Sequence, residues 1–348
     1  MLSGWRGLGA FWAAVLVLLA GGALVLQVLG PPAPRIAGHA PALRRAAAPA
    51  PPPQVSRHVV ALPSDRPGRD TPGPIADPDP GLLEPGAGGA SAALPKIAED
   101  GRRPSQVYAA GFDQTSRRPR VGIIVAGIGL DQAASEDAIR NLPGAVTLAV
   151  SPYGTHLDAI LSAARLAGHE YLLSIPMEPK GYPQTDPGPL ALMTSLSVND
   201  NLDRLHRLMS AVQGYVGVTN ALGAQRGERF AGVPRLIEPV LAELARRGLL
   251  YVDARSPEAG GQATQNQVWS VDTDVVVDDP VYAIDAKLVQ LEQLARERGQ
   301  ALGLAGAPAP VVVQHIAEWS NGLMNRGLVL APVSALVRPP AQVTASGQ

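Results

Sequence analysis

Between Arg120 and Leu336, short continuous apolar runs alternate with longer segments whose apolar positions recur at helical spacing. The first run, Arg120 to Asp131 (RVGIIVAGIGLD), opens on Val and Ile in close succession. That is the composition of a parallel strand buried on both faces. It ends in Ala126-Gly127-Ile128-Gly129, followed by a polar turn that opens a helix. Further strands are expected over 146–150, 171–175, 215–219, 249–252, 274–277 and 301–304, with 328–333 closing the sheet. Helices are expected over 132–141, 156–167, 199–211, 233–247, 282–298 and 311–324. Asn199 or Asp200 can cap the third of these helices. Gly168, Gly248 and Gly299 stand just beyond helix ends, where a left-handed residue terminates a helix. Strand and helix alternate about seven times, which gives parallel βα units. The fold class is therefore α/β, a distorted or incomplete (β/α) barrel of about seven parallel strands. In such folds chemistry collects in the loops after the strands, and the first of these holds no acid, base or nucleophile before Asp131.

The pattern ahead of Arg120 is different. Leu8 to Leu29 is a run of 22 residues with no charge, long enough to span a bilayer. It predicts a transmembrane helix within an N-terminal anchor, residues 1–30. A cleaved signal peptide is the rival reading, although its apolar region normally runs about 7–15 residues. Residues 31–93 are rich in Pro, Ala and Gly, and half of the chain's 34 Pro fall between Pro31 and Pro104. Such a segment buries too little apolar surface to offset the entropy of ordering it, so a disordered, extended linker is expected. Residues 94–119 mix apolar anchors (Ile97, Val107, Tyr108, Phe112) with charge and read as an arm packed on the domain. The domain runs over 120–338, and 339–348 reads as a disordered tail. This order predicts a single-pass protein of the bacterial inner membrane with its barrel in the periplasm.

Composition removes several function classes. With no Cys there is neither a disulfide framework nor a thiolate metal site. A net charge of −1 gives no reason to expect nucleic acid as a partner. The Gly127, Gly129 pair lacks a third glycine, because Gln132 stands there, so a dinucleotide site is not indicated. P-loop, Gly-x-Ser-x-Gly and His-Glu-x-x-His motifs are absent, and no cofactor is expected.

Several phrases occur in a telling order: Ile175-Pro176-Met177-Glu178-Pro179, with Gly188-Pro189 and Leu192 after it; Gly217-Val218-Thr219-Asn220 and Gly223; Tyr251-Val252-Asp253; Gly306-Ala307-Pro308-Ala309-Pro310; and Arg326-Gly327-Leu328 with Pro332-Val333-Ser334. In these the domain resembles the divergent polysaccharide deacetylase family, part of a superfamily of carbohydrate deacetylases and glycoside hydrolases with a distorted (β/α) barrel. The resemblance implies carbohydrate (polysaccharide or peptidoglycan) metabolism. It also exposes departures. The family's Asp-Asp pair after the first strand falls on Ala126 and Gly127, and its His before Pro-Met-Glu on Ser174 or Ile175. Its Asn-His-Met-Gly falls on Asn220-Ala221-Leu222-Gly223 and its Gly-His-Pro on Gly306-Ala307-Pro308. Asp253 is the main acidic position that matches. A metal-dependent deacetylase needs His and carboxylate ligands and a carboxylate base. With those side chains replaced, no catalytic or metal-ligating residue is assigned, and the expectation is a pseudoenzyme.

Glu178, Asn220, Asp253 and Arg255 remain at strand ends as candidate substrate-binding residues. Each has a structural alternative: an Asp253–Arg255 ion pair, a loop-ordering Glu178, and an Asn220 that braces its own turn. His156 and His169 are expected at helix ends in solvent, and His315 on a helix surface. Asp278-Asp279 before Pro280 reads as a turn, with cation binding as the alternative. The expected function is a membrane-anchored envelope protein that binds glycan. An active hydrolase using Glu178 and Asp253, or an envelope scaffold for a protein partner, stays open beside it.

Overall fold

The computed structural model describes residues 68–86, 89–255 and 268–340. Among the described residues nine parallel strands make the main sheet: β3 (Arg120–Ile128), β4 (Thr147–Val150), β5 (Tyr171–Ser174), β6 (Gly217–Thr219), β7 (Leu250–Asp253), β8 (Ser270–Asp272), β9 (Val275–Val276), β10 (Gln300–Ala305) and β11 (Val329–Leu330). An antiparallel hairpin, β1 (Leu83–Gly86) and β2 (Gly89–Pro95), precedes them. The sheet order is β8-β7-β6-β5-β4-β3-β10-β9, and β11 pairs with the start of β3.

Both faces of this sheet are covered, which is why β3 reads as an unbroken apolar run. Val121, Ile123 and Val125 pack in the cluster formed with the outer helices. Ile124 and Ala126 belong to a second cluster with Leu172, Val252 and Leu304, inside the curve of the sheet. The outer layer includes helices Gln132–Asn141, Leu157–Leu166, Val198–Met209, Pro234–Arg246, Ile284–Arg298 and Pro310–Asn321. Ser197, not Asn199 or Asp200, caps the helix Val198–Met209, its side chain accepting from the Asp200 N–H. Gly299 ends the helix Ile284–Arg298 with φ of 83°, the left-handed turn expected of it.

The strand count departs from the expectation of about seven. The expected strand over 274–277 is β9, and a further short strand, β8, precedes it at the opposite edge of the path. Thr273 and Asp274 join them: the Thr273 N–H donates to Asp253 O on β7, and the Asp274 N–H to Leu302 O on β10. One bent segment thus crosses the gap between the sheet edges and gives a distorted barrel. The polar run Asp272-Thr273-Asp274 carries no apolar pattern that would mark β8.

Order also begins earlier than expected. Residues 68–93 lie within the Pro/Ala/Gly-rich stretch, yet Ile75 and Leu82 are buried there and join Tyr108, Phe112, Val333 and Leu336 in the inner cluster. The arm and the C-terminal segment therefore close the end of the barrel where the strands begin. A methyl group built on Gly122 of β3 would lie 2.4 Å from Leu336 Cδ1, so glycine leaves room for this plug.

The expectation of a transmembrane helix is corrected. Among the described residues no helix is long and apolar enough to cross a membrane. Leu8–Leu29, like the rest of 1–67 and the tail 341–348, lies outside the described residues. The anchor, the single-pass topology and the inner-membrane placement that followed from that helix are not carried further.

Candidate functional site

The loops after the strands gather at the other end of the barrel. Asp253 ends β7, Arg255 stands two residues on, and Asn220 follows β6 directly. All three are buried. Arg255 Nε donates to both Asp253 oxygens at 3.0 Å, and its Nη2 donates to Oδ2 at 2.6 Å. The Arg255 N–H adds a bond to Oδ1 at 3.0 Å. Asn220 Nδ2 donates to Arg226 O at 2.7 Å and to Asp253 Oδ1 at 3.3 Å, while its Oδ1 accepts the Ala254 N–H at 2.7 Å. These three candidates thus form one bonded unit that locks the ends of β6 and β7 together.

Glu178 stands apart from that unit. Its Oε2 accepts the Thr194 N–H at 2.6 Å and the Thr194 hydroxyl at 2.7 Å, and its Oε1 accepts from Arg229 at 2.9 Å. Burial pushes the carboxyl up, but the Thr194 and Arg229 donors outweigh it and hold it below the usual range. Glu178 is therefore the brace of the long loop between β5 and the helix Val198–Met209.

One replaced position, Gly127, meets two glycines that match the family phrases, Gly306 and Gly223, across the mouth. A methyl group built on Gly127 would lie 3.3 Å from Gly306 O, and one built on Gly306 would lie 2.9 Å from Gly223 O. Three loops thus close on one another, backbone against backbone. The Arg226 guanidinium sits at this junction, 3.5 Å from the position a Gly306 Cβ would take. It is 9% exposed and donates to Gly223 O and Gln225 O, and among the described residues it has no carboxylate within ion-pair distance. Burial pulls its pKa down, and the more distant Asp278, Glu228 and Asp279 work against that shift. Among the described residues no group of three or more His, Asp or Glu side chains can hold a metal ion. A divalent ion does not fit this junction, because loop backbone and a fixed cation stand at it.

Sequence reasoning passed over two mouth residues. Arg226 follows the turn from Asn220 and carried no motif. Asp272 is the cross-strand neighbour of Asp253 in the β7–β8 register. Burial first, and then Asp253, push its carboxyl up to about 6. The alternating acids Asp272 and Asp274 are the signal in the sequence that marks this edge. The buried Ser174 Oγ and Thr273 Oγ1, at the ends of β5 and β8, have no partner among the described residues. Asp278 Oδ2 accepts the Gly306 N–H at 2.7 Å, which gives that acid a structural task.

The histidines divide. His156 is exposed, with φ of 54°. His315 pairs with Asp285 at 2.6 Å on the helix surface. His169 corrects the expectation of a solvated ring. It is fully buried, with Nδ1 2.8 Å from Val146 O and Nε2 3.3 Å from Ile139 O, and burial lowers its pKa. Its place just before β5 makes it part of the barrel wall.

With this geometry in view, the comparisons agree. The family profile of divergent polysaccharide deacetylases matches residues 123–337. A crystal structure of the uncharacterised protein ATU2773 from Agrobacterium tumefaciens C58 is 40% identical, covers 70% of this chain and 99% of its own, and superposes with a TM-score of 0.65. An uncharacterised Haemophilus influenzae protein is 25% identical over 212 residues, 59% of this chain and 71% of its own. The uncharacterised protein YibQ of Escherichia coli is 25% identical over 213 residues, 59% of this chain and 64% of its own. The chain belongs to the divergent polysaccharide deacetylase family.

Proposed function

We propose that this protein binds glycan at the mouth of its barrel and does so without metal-dependent deacetylation. The observation that carries this reading is the junction of Gly127, Gly223 and Gly306 around the Arg226 guanidinium. It fills the mouth with backbone and a fixed cation where a metal-dependent hydrolase needs an open first shell. Glycan as the ligand class rests on family membership alone, since a fold hosts many functions. Exposed apolar side chains on the rim fit such a ligand, because sugars pack their apolar faces on them. Leu130, Val281 and Tyr282 stand in the turns that lead into helices after β3 and β9, and Val311 in the first turn of the helix after β10.

Hydrolysis by Glu178 and Asp253 is disfavoured, because every oxygen of both carboxylates already accepts a donor. Asp272 keeps a metal-free enzyme reading alive, since a carboxyl near 6 is poised for proton transfer at neutral pH. The test is to titrate the full chain with acetylated and deacetylated oligosaccharides, with and without divalent metals, while measuring released acetate. Binding with acetate at the blank level, whatever metal is added, supports the proposal. Metal-dependent turnover overturns it, and metal-independent turnover lost in Asp272→Asn establishes the enzyme reading.

A further inference from the structure

The loop Pro176–Leu196 is longer than connections in compact domains usually are, and loops of that length are usually functional or disordered. This one is ordered from several sides. Glu178 holds Thr194, and Asn201 holds both the N–H and the carbonyl of Met193, at 2.8 and 3.0 Å. Gly188 lies against the Tyr153 ring, where an added methyl group would come within 2.7 Å. Gln225 Nε2 donates to Asp186 O at 3.2 Å, tying the loop to the turn that carries Arg226. The Gln225 Oε1 is buried and has no partner among the described residues.

Between this loop and the helix Val198–Met209 lies a cleft of about 380 Å³, lined by Tyr182, Asp186, Ser195 and Arg204 among others. That volume falls in the range of small-ligand sites. Arg204 enters from the helix, half-buried, with Nη1 donating to Ala191 O at 2.6 Å. Arg204 lines the cleft, and among the described residues no carboxylate pairs with it. Asp186 uses Oδ1 to accept the Gly188 N–H at 2.8 Å, which leaves Oδ2 to accept from a ligand. Tyr182 offers a partly exposed aromatic ring.

We infer that this cleft is a second ligand site, built for a sugar that carries a carboxylate. The Arg204 fork matches a carboxylate in planar, two-pronged fashion. Asp186 accepts from a sugar hydroxyl or N–H, and the Tyr182 ring covers the apolar face of a pyranose. Arg204 and Asp186 are not paired with each other, so the site presents separate positive and negative groups to one ligand. The braced loop makes the cleft preorganised, which lowers the entropy cost of binding. The inference rests on the glycan reading and names the sugar chemistry within it.

The experiment titrates the full chain, by calorimetry, with a disaccharide containing a uronic acid, its neutral methyl ester, an N-acetylated neutral oligosaccharide and an acidic hexapeptide. The wild type is expected to bind the acid at least tenfold more tightly than its ester. Arg204→Gln is expected to abolish that preference by bringing affinity for the acid down to that for the ester. Arg204→Lys should recover part of it, and Tyr182→Ala should weaken acid and ester together. Melting temperatures of the Arg204 variants within a few degrees of wild type separate a lost contact from a lost loop. Equal binding of acid and ester, untouched by Arg204→Gln, overturns the inference and leaves glycan binding standing. Binding of the peptide in preference to the sugar acid overturns the sugar assignment. Binding of no saccharide at all overturns this inference and the glycan reading together.

Discussion

The two ends of the barrel solve the problem of buried polar groups in opposite ways. Where the strands begin, Glu170 is fully buried just before β5, and its carboxylate is saturated. The Ala110 N–H, the Ser334 N–H, the Ser334 hydroxyl and the Thr147 hydroxyl donate to it at 2.6 to 3.1 Å. Burial still pushes its pKa up, against those donors. One side chain thereby joins the arm, β4, β5 and the C-terminal segment. Where the strands end, the buried hydroxyls of Ser174 and Thr273 have no partner among the described residues, Asp272 is raised to about 6, and the Arg226 cation rests on carbonyls alone. Satisfied polar networks rigidify, whereas unsatisfied ones mark places where ligand or water completes the set. Saturation where the strands begin and several open groups where they finish fit the division of βα barrels into a stability end and a site end.

The sharpest way to break this contrast is at Glu170. Replacing it with Ala strips the acceptor from four buried donors, each of which costs roughly 1–3 kcal/mol when left unmade. We expect Glu170→Ala to lower unfolding free energy by about 4 kcal/mol in urea titration, with glycan affinity of the folded fraction unchanged. A loss below about 1 kcal/mol would mean that the arm and the C-terminal segment are held by packing alone.

At the mouth, the Asp253–Arg255 pair is the corresponding test. Removing one partner of a buried ion pair strands the other charge, at about 3 kcal/mol, whereas removing both is far milder. Asp253→Asn and Arg255→Met should each destabilise by about that amount, and the double variant by clearly less than their sum. Additive losses would show that the two side chains act independently and are free to meet ligand. Binding measured on the double variant then separates a structural pair from a recognition pair.

Much of this was legible along the chain, for a definite reason. The strands from β3 to β7 and their helices follow from apolar runs and periodic stripes, because both faces of the sheet are buried. The Asp253–Arg255 pair and the Glu178 brace stood among the alternatives for those residues, since short spacing limits what a side chain can reach. What escaped depends on distant parts of the chain. β8 exists because its segment changes partner from β7 to β10, and no local pattern encodes that. Ile75 and Leu82 are isolated apolar residues in a Pro-rich stretch, and only the open barrel end gives them a place. Arg226 has no motif, and only the closing of three loops makes it central.

Acid should dissolve the flank beside the hairpin. Glu243 accepts from His206, Arg246 and Arg247, and Arg247 also reaches Glu84 at 2.8 Å and Pro95 O at 2.7 Å on the hairpin. Burial raises the Glu243 carboxyl, but these donors outweigh it and bring it down to about 2 from 4.5. A depressed folded-state pKa contributes stability above the unfolded value, and that contribution is lost as pH falls through the folded one. Between pH 4.5 and 2 the wild type should therefore lose about 2 kcal/mol that Glu243→Gln does not lose, in urea titrations at each pH. Parallel curves would place the acid sensitivity elsewhere.

The smallest effect concerns Asp272, and its sign is opposite. Its folded-state carboxyl lies near 6, above the usual 3.8, so the folded protein binds this proton more tightly than the unfolded chain does. Its ionisation therefore costs stability as pH rises from 3.8 through 6, and the cost is complete at neutral pH. Asp272→Asn abolishes that cost. We expect the variant to match wild type below pH 4 and to exceed it above pH 6 by on the order of 1 kcal/mol, discounted because the side chain is only half-buried. If the difference between the two proteins does not change with pH, Asp272 is an ordinary carboxylate and the mouth loses its poised proton donor. If the gain appears and saccharide binding weakens with it, the strain at this end of the barrel is there for the ligand.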